Sequence, residues 1–231
     1  MADPTPHAAF ETWNQSSESL ESIEARIHDG VPLDKLHDRA NGYLNTLFTL
    51  FPHAAPSRKD VAVEIGPGVG YIMEAVMNRF RPARIVGLDV APAMIEHAKA
   101  RLRRDRVDTS NWSFEAYDGV TMPFADGTID HIYSVACLQH VPKLHVYHLF
   151  SEMLRVLRHG YAAIQVLSFS FLPKQHVPLA DEVNRQLKGE VGHWHHFYSR
   201  DELVYVLAAL GAADVSVTDL DGSLWTAFRR G

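Results

Sequence analysis

Residues 61–70 read Val61-Ala-Val-Glu-Ile-Gly-Pro-Gly-Val-Gly70: an apolar run carrying one acid, then glycine at every second position, then an amphipathic segment. The apolar run has the length and β-branched content of a buried strand. Gly66, Gly68 and Gly70 lack Cβ and take backbone angles closed to other residues, so the main chain of this turn can come within contact distance of a ligand. A small ligand over the end of a strand is what such a turn serves. The dinucleotide fingerprint G-x-G-x-x-G would need a third glycine at position 71, where this chain has Tyr71, and the P-loop is excluded because no Gly-Lys-Ser/Thr follows. Glu64 sharpens the choice further. A carboxylate just before the glycines repels a pyrophosphate and suits a ligand whose near end carries an ammonium group.

Further segments follow in a fixed order. Arg84-Ile-Val-Gly-Leu-Asp89 runs into Val90-Ala-Pro-Ala-Met94, followed by Tyr117-Asp118-Gly119 and Pro123-Phe124. The run Ile129 to Ala136, which contains Ser134, leads to Leu138-Gln-His140-Val141 and then to the helical stretch Glu152 to Arg158. Over residues 60 to 170 the chain resembles the class I S-adenosylmethionine-dependent methyltransferases, in particular their small-molecule, type 11 group; Glu64 to Gly70 matches the pattern Asp/Glu-x-Gly-x-Gly-x-Gly in full. The resemblance implies an α/β fold: a Rossmann-like seven-stranded, mostly parallel sheet with an antiparallel last strand and helices on both faces. It also implies S-adenosylmethionine as cofactor. The glycine loop would contact its methionine part, Glu64 its ammonium group and Asp89 both ribose hydroxyls. Val90, Met94, Asp118, Gly119 and Ser134 complete the implied set. For two of these the residues allow a second reading: Met94 as a helix-core residue, and Asp118-Gly119 as a plain turn.

Composition agrees with one domain of ordinary size: 231 residues, 46% hydrophobic and 22% charged. A formal net charge of -6 argues against a nonspecific nucleic-acid binder, which needs a basic face. The single cysteine, Cys137, cannot form an intramolecular disulfide, and the N-terminal residues lack signal-peptide character, so a cytoplasmic location is expected. Tyr161 to Pro173 is too short and too polar to span a membrane and reads as a central strand.

Strand and helix patterns alternate after residue 60, with strands near 61–65, 84–89, 112–117, 129–136, 161–170, 214–219 and 224–228. The last two meet at Asp221-Gly222, a hairpin signal. Residues 58–231 form the methyltransferase-like domain. Residues 1–57 read as a helical cap in which Leu36, Ala40, Tyr43, Leu44, Leu47, Phe48 and Phe51 share a side, and residues 1–28, with Trp13, as a mobile lid. The Pro-, His- and Gly-rich stretch 171–198 leaves the ligand-binding edge of the sheet and reads, with the cap, as the seat of acceptor specificity. Arg101, Arg103, Arg104 and Arg106 read as cations solvated at a helix C-terminus.

Methyl transfer to oxygen requires a proton acceptor, and His140, just past the fourth strand, is the best placed; a packing role competes. His193, His195 and His196 are further candidates. No metal is expected, since no cysteine partner or His-x-x-x-His pair accompanies them. After strand four the chain lacks the Asn/Asp-Pro-Pro-aromatic tetrad of many DNA, RNA and protein amide methylases. That points to a small-molecule acceptor with an oxygen, carbon or amine nucleophile. A noncatalytic S-adenosylmethionine-binding scaffold or sensor is the alternative, and a nicotinamide oxidoreductase a more distant one.

Overall fold

The strand ends that flank the glycine turn are positioned by a sheet whose order is β3-β2-β1-β4-β5-β8-β7. The computed structural model describes residues 13–14, 18–28, 31–175, 178–188 and 195–231. Its strands are β1 (Val61–Ile65), β2 (Arg84–Asp89), β3 (Trp112–Ala116), β4 (His131–Ser134), β5 (Tyr161–Ser168), β6 (Phe197–Tyr198), β7 (Ala212–Leu220) and β8 (Ser223–Arg230). Only β8 runs antiparallel to its neighbours, and the two-residue β6 adds an eighth strand beside β5. The order reverses between β2-β1 and β1-β4, which opens a crevice at the carboxyl ends of those strands.

Each central strand is apolar on both faces, as parallel strands covered by helices must be. Ala62, Ile85, Tyr133 and Ala163 pack toward α2 (Leu36–Leu50), α3 (Tyr71–Phe80) and α4 (Pro92–Arg104), with α1 (Leu20–Ile27) on the same side. Val63, Val86, Ile132 and Ile164 pack toward α5 (Lys143–Val156) and α8 (Arg200–Ala209). Two short helices, α6 (Phe171–Lys174) and α7 (Leu179–Leu187), lie between β5 and β6. Among the described residues no helix is long and apolar enough to cross a membrane.

Three strand limits differ from the sequence reading. β4 ends at Ser134 rather than 136, and the chain turns at Ala136, whose φ is +55°. β5 stops at Ser168, where a turn leads into α6. The final hairpin is longer than expected. Asp221 and Gly222 both have positive φ, the signature of a tight I′-type connection. At the opposite end of the sheet Gly160 is obligatory, because a Cβ there would lie 1.7 Å from the Asp130 carbonyl oxygen.

The cap is fastened by charges, and here the sequence reading of the arginines needs correction. Arg101 is not solvated but fully buried. Its Nε donates to the Val69 carbonyl at 3.0 Å, it pairs with Glu74, and its guanidinium lies 4.3 Å from the Tyr71 ring. Arg104 reaches the fully buried Glu24 of α1 through two contacts of 2.8 and 3.0 Å, and the Tyr71 hydroxyl donates to the same carboxylate at 2.8 Å. Arg103, Arg104 and Arg106 are exposed, as expected, although Arg104 is also ion-paired. These partners exist because α1 folds across the glycine turn, burying Ile23 and Glu24. Arg101→Ala, which strips Val69 and Glu74 of a buried cation, should lower stability by about 3–5 kcal/mol in urea unfolding.

Candidate active site

At the crevice lies a cavity of about 730 Å³, floored by the ends of β1, β2 and β4 and walled by the cap and by residues near β5 and β8. The three loop glycines divide their work. Gly66 and Gly68 line the cavity with φ of +66° and +53°. A Cβ at Gly66 would come within 2.1 Å of Cys137 Sγ, and one at Gly68 would meet Ile27 Cδ1 at 3.3 Å. Gly70 does not line the cavity. It is the N-cap of α3, at φ +86°.

Two carboxylates sit below this turn, both buried: Glu64 on β1 and Asp89 at the end of β2. Among the described residues neither has a basic side chain within ion-pair distance. Burial raises the Glu64 pKa well above the carboxylate range, reinforced by the Asp89 charge and opposed by Tyr133, and Glu64 Oε2 is buried without a hydrogen-bond partner. Burial also pushes Asp89 up to about 6, against the backbone N–H groups of Ala91 and Val90. Asp89 Oδ1 accepts from the Ala91 amide at 2.9 Å. Asp89 lines the cavity, whereas Glu64 lies buried behind its wall and does not; a dry acid at the wall suits a ligand that brings paired hydroxyl donors, and the orphaned Glu64 oxygen behind it suits a cation.

The remaining cofactor candidates separate. Val90, Met94 and Gly119 line the cavity. Asp118 does not; its Oδ1 accepts from the Val120 and Thr121 amides at 2.8 and 2.7 Å, which builds the turn, and Tyr117 forms the wall beside Gly119. Ser134 is fully buried and donates to the Ile65 carbonyl at 2.9 Å, tying β4 to β1.

Across the cavity stand Trp13, His140 and His195. The His140 ring lies 5.9 Å from Trp13 and 5.1 Å from His195. His196 turns away from the cavity; its amide donates to the Gln139 carbonyl at 2.7 Å, and burial, then the Lys143 charge, lowers its pKa. His193 falls outside the described residues. Trp13 stands where a lid residue would, whereas Ile23 and Glu24 of the same segment are core residues. The sequence reading missed Arg39 and His145, both on the wall. Arg39 sits one helical turn before Tyr43, which was read on the cap's apolar side, and donates to its hydroxyl at 3.1 Å. His145 opens α5, and no local pattern marks it.

The fold and these residues define a domain that binds a small, cation-bearing nucleoside at the ends of its parallel strands. Residues 62–160 match the family model described as a methyltransferase domain. The chain is 38% identical over 74 residues to malonyl-[acyl-carrier protein] O-methyltransferase of Acetivibrio thermocellus, covering 32% of this chain and 24% of that protein. It is 24% identical over 177 residues to ajmaline N-methyltransferase of Rauvolfia serpentina, covering 74% and 58%. Geranyl diphosphate C-methyltransferase of Streptomyces coelicolor superposes with a TM-score of 0.65 at 18% identity, covering 100% of this chain and 99% of that one. Residues 62–160 are thus similar to a methyltransferase domain in sequence, and the fold is that of the class I S-adenosylmethionine-dependent methyltransferases. The chain spans from about a quarter to three fifths of the length of these two curated relatives. The orphaned Glu64 oxygen, the Cβ-free wall at Gly68 and the Asp89 carboxylate fit that family's cofactor.

Hydroxyl donors stabilise the ionised form of Asp89, so S-adenosylhomocysteine should bind most tightly above pH 6 and progressively more weakly as pH falls through the Asp89 pKa of about 6. Calorimetry across that range checks the direction. Asp89→Ala should weaken binding by about 2–4 kcal/mol and remove the part of the pH dependence that belongs to this group.

Proposed function

We propose that the protein transfers the methyl group of S-adenosylmethionine to the oxygen, carbon or amine nucleophile of a small-molecule acceptor, by in-line displacement. The observation that carries this reading is one cavity with two kinds of wall: the buried Asp89 carboxylate beside a glycine turn, with Glu64 buried behind it, and imidazoles and aromatic rings opposite. S-adenosylmethionine supplies an electrophilic methyl on a sulfonium when bound. Glu64 and Asp89 would hold its ammonium and ribose groups, with Val90 and Met94 beside the base. Trp13, Ile27 and Tyr43 from the cap exclude water from the cavity. Holding donor and acceptor in line supplies much of the rate enhancement of such a displacement. An imidazole on the opposite wall, His140 or its neighbour His195, accepts the proton of an O–H or N–H nucleophile. The relatives include proteins named as O-, N- and C-methyltransferases, which supports the reaction class.

Incubation with methyl-labelled S-adenosylmethionine and a mixed metabolite extract should release S-adenosylhomocysteine and a labelled product. Cofactor binding without turnover under any acceptor condition would instead support a scaffold or sensor. With an acceptor in hand, the rate should fall as pH drops through the imidazole range, because the neutral ring is the active form. Replacing the proton-accepting histidine by alanine should lower turnover and leave S-adenosylhomocysteine affinity nearly intact. In addition, Trp13→Phe should remove a fluorescence change seen when S-adenosylhomocysteine binds.

A further inference from the structure

Helix α7 is inverted in polarity. Leu179, Val183 and Leu187 stand 48, 45 and 64% exposed, while Glu182 and Gln186, one turn apart, are buried. A carboxylate in a buried position is costly unless it meets a partner. Its charged partners are Arg185, 3.6 Å from Oε2, and His195. Glu182 Oε1 lies 3.5 Å from His195 Nδ1 and accepts from Gln186 Nε2 at 2.8 Å. Gln186 Oε1 in turn accepts from the His195 backbone N–H at 3.2 Å. The helix therefore grips His195 by its ring and by its main chain, and the ring lines the cavity 5.1 Å from His140.

We propose that Glu182 is a positioning residue: it holds the His195 ring with Nδ1–H toward the carboxylate, so that Nε2 is the atom that takes the acceptor's proton. The assignment rests on the methyl-transfer reading and selects His195 from the two imidazoles. A carboxylate at Nδ1 fixes one tautomer and stabilises the imidazolium that forms. The proton leaves the acceptor's O–H or N–H, the bonding pair remains on the acceptor atom, and the proton passes from Nε2 to solvent after turnover. Among the described residues the other charged or titratable groups near the ring are His140 on the Leu138–His140 turn, the adjacent His196, Arg185, which lies 3.6 Å from the second Glu182 oxygen, and Lys143, which is paired with Glu202 at 2.6 Å. Of these Glu182 is the anion against the ring.

The test uses the full chain with isotopically labelled histidine, followed by NMR across the imidazole range, with His195→Gln to assign the signal. In the wild type the neutral His195 ring should carry its proton on Nδ1; a neutral ring protonated on Nε2 would overturn the proposal without any variant. Glu182→Ala, which removes the acceptor at Nδ1, should move the neutral ring toward the Nε2-protonated form; Glu182→Gln, whose amide oxygen still accepts, should move it less and serves if the alanine variant does not fold. A neutral ring that stays protonated on Nδ1 in the folded alanine variant refutes the assignment. Calorimetry with S-adenosylhomocysteine on the same wild-type sample separates the two readings: absence of binding with the Nδ1–H tautomer intact would fail methyl transfer alone.

Discussion

Two carboxylates kept out of water at the ends of adjacent parallel strands are the constraint on which this site depends. Glu64 and Asp89 are buried, and burial shifts both toward the protonated form. A group whose folded pKa is raised above its unfolded value favours the folded state while protonated, and that contribution is lost as pH rises through the folded pKa. Near neutral pH the ligand-free domain therefore carries an electrostatic penalty at the cavity floor. A cationic ligand with paired hydroxyl donors removes it, and anything that binds the folded state alone also stabilises it. The rest of the sheet tolerates that penalty because its central strands are apolar on both faces.

The cations that could have neutralised those acids are committed elsewhere. Arg101 lies directly behind the glycine turn, where it hydrogen-bonds Val69 and pairs with Glu74. Arg104 is taken by Glu24 and Asp105. Charge is thus segregated across a single turn of backbone: compensated pairs on the helix side, uncompensated acids on the cavity side. The Arg104–Glu24 pair anchors α1, so the element that helps to cover the cavity is fixed by groups that never enter it. Removing one member of such a buried pair costs more than the pair contributes, because its partner is left charged and dry.

Features written locally in the sequence were legible, and features that need a distant partner were not. The strand, the glycine turn and Asp89 declare themselves within 30 residues. Leu36, Ala40, Leu44, Leu47 and Phe48 likewise mark the buried side of the cap. Arg101 and Arg104 looked solvated because their setting depends on distant partners: Val69 and Glu74 for Arg101, and Glu24, 80 positions away, for Arg104. Ser134 resembles a ligand contact at its place in the motif order, yet its hydroxyl is used on a neighbouring strand's carbonyl. Glu182 could not be found from periodicity at all. The apolar residues of α7 predict the opposite buried face, and the contacts of Glu182 and Gln186 with His195, which lies beyond the helix, accompany the inversion.

This division matches the two halves of the cavity. The cofactor side is built from the ends of consecutive strands and their turns, all within residues 62–160, where the family model matches. The acceptor side draws Trp13, Arg39 and Tyr43 from the cap, His140 and His145 from the β4–α5 connection, His195 from beyond α7, and Trp225 from β8. Most of these lie outside the matched span, and they converge only once the sheet and cap are assembled. Parallel strand ends can therefore fix one nucleoside-binding geometry while the segments laid across them set the shape and charge of the opposite wall. The wall opposite Asp89 is held by the packing of α1 and α2 onto the sheet and by the grip of α7 on His195, so its shape and charge can change without disturbing Glu64 or Asp89.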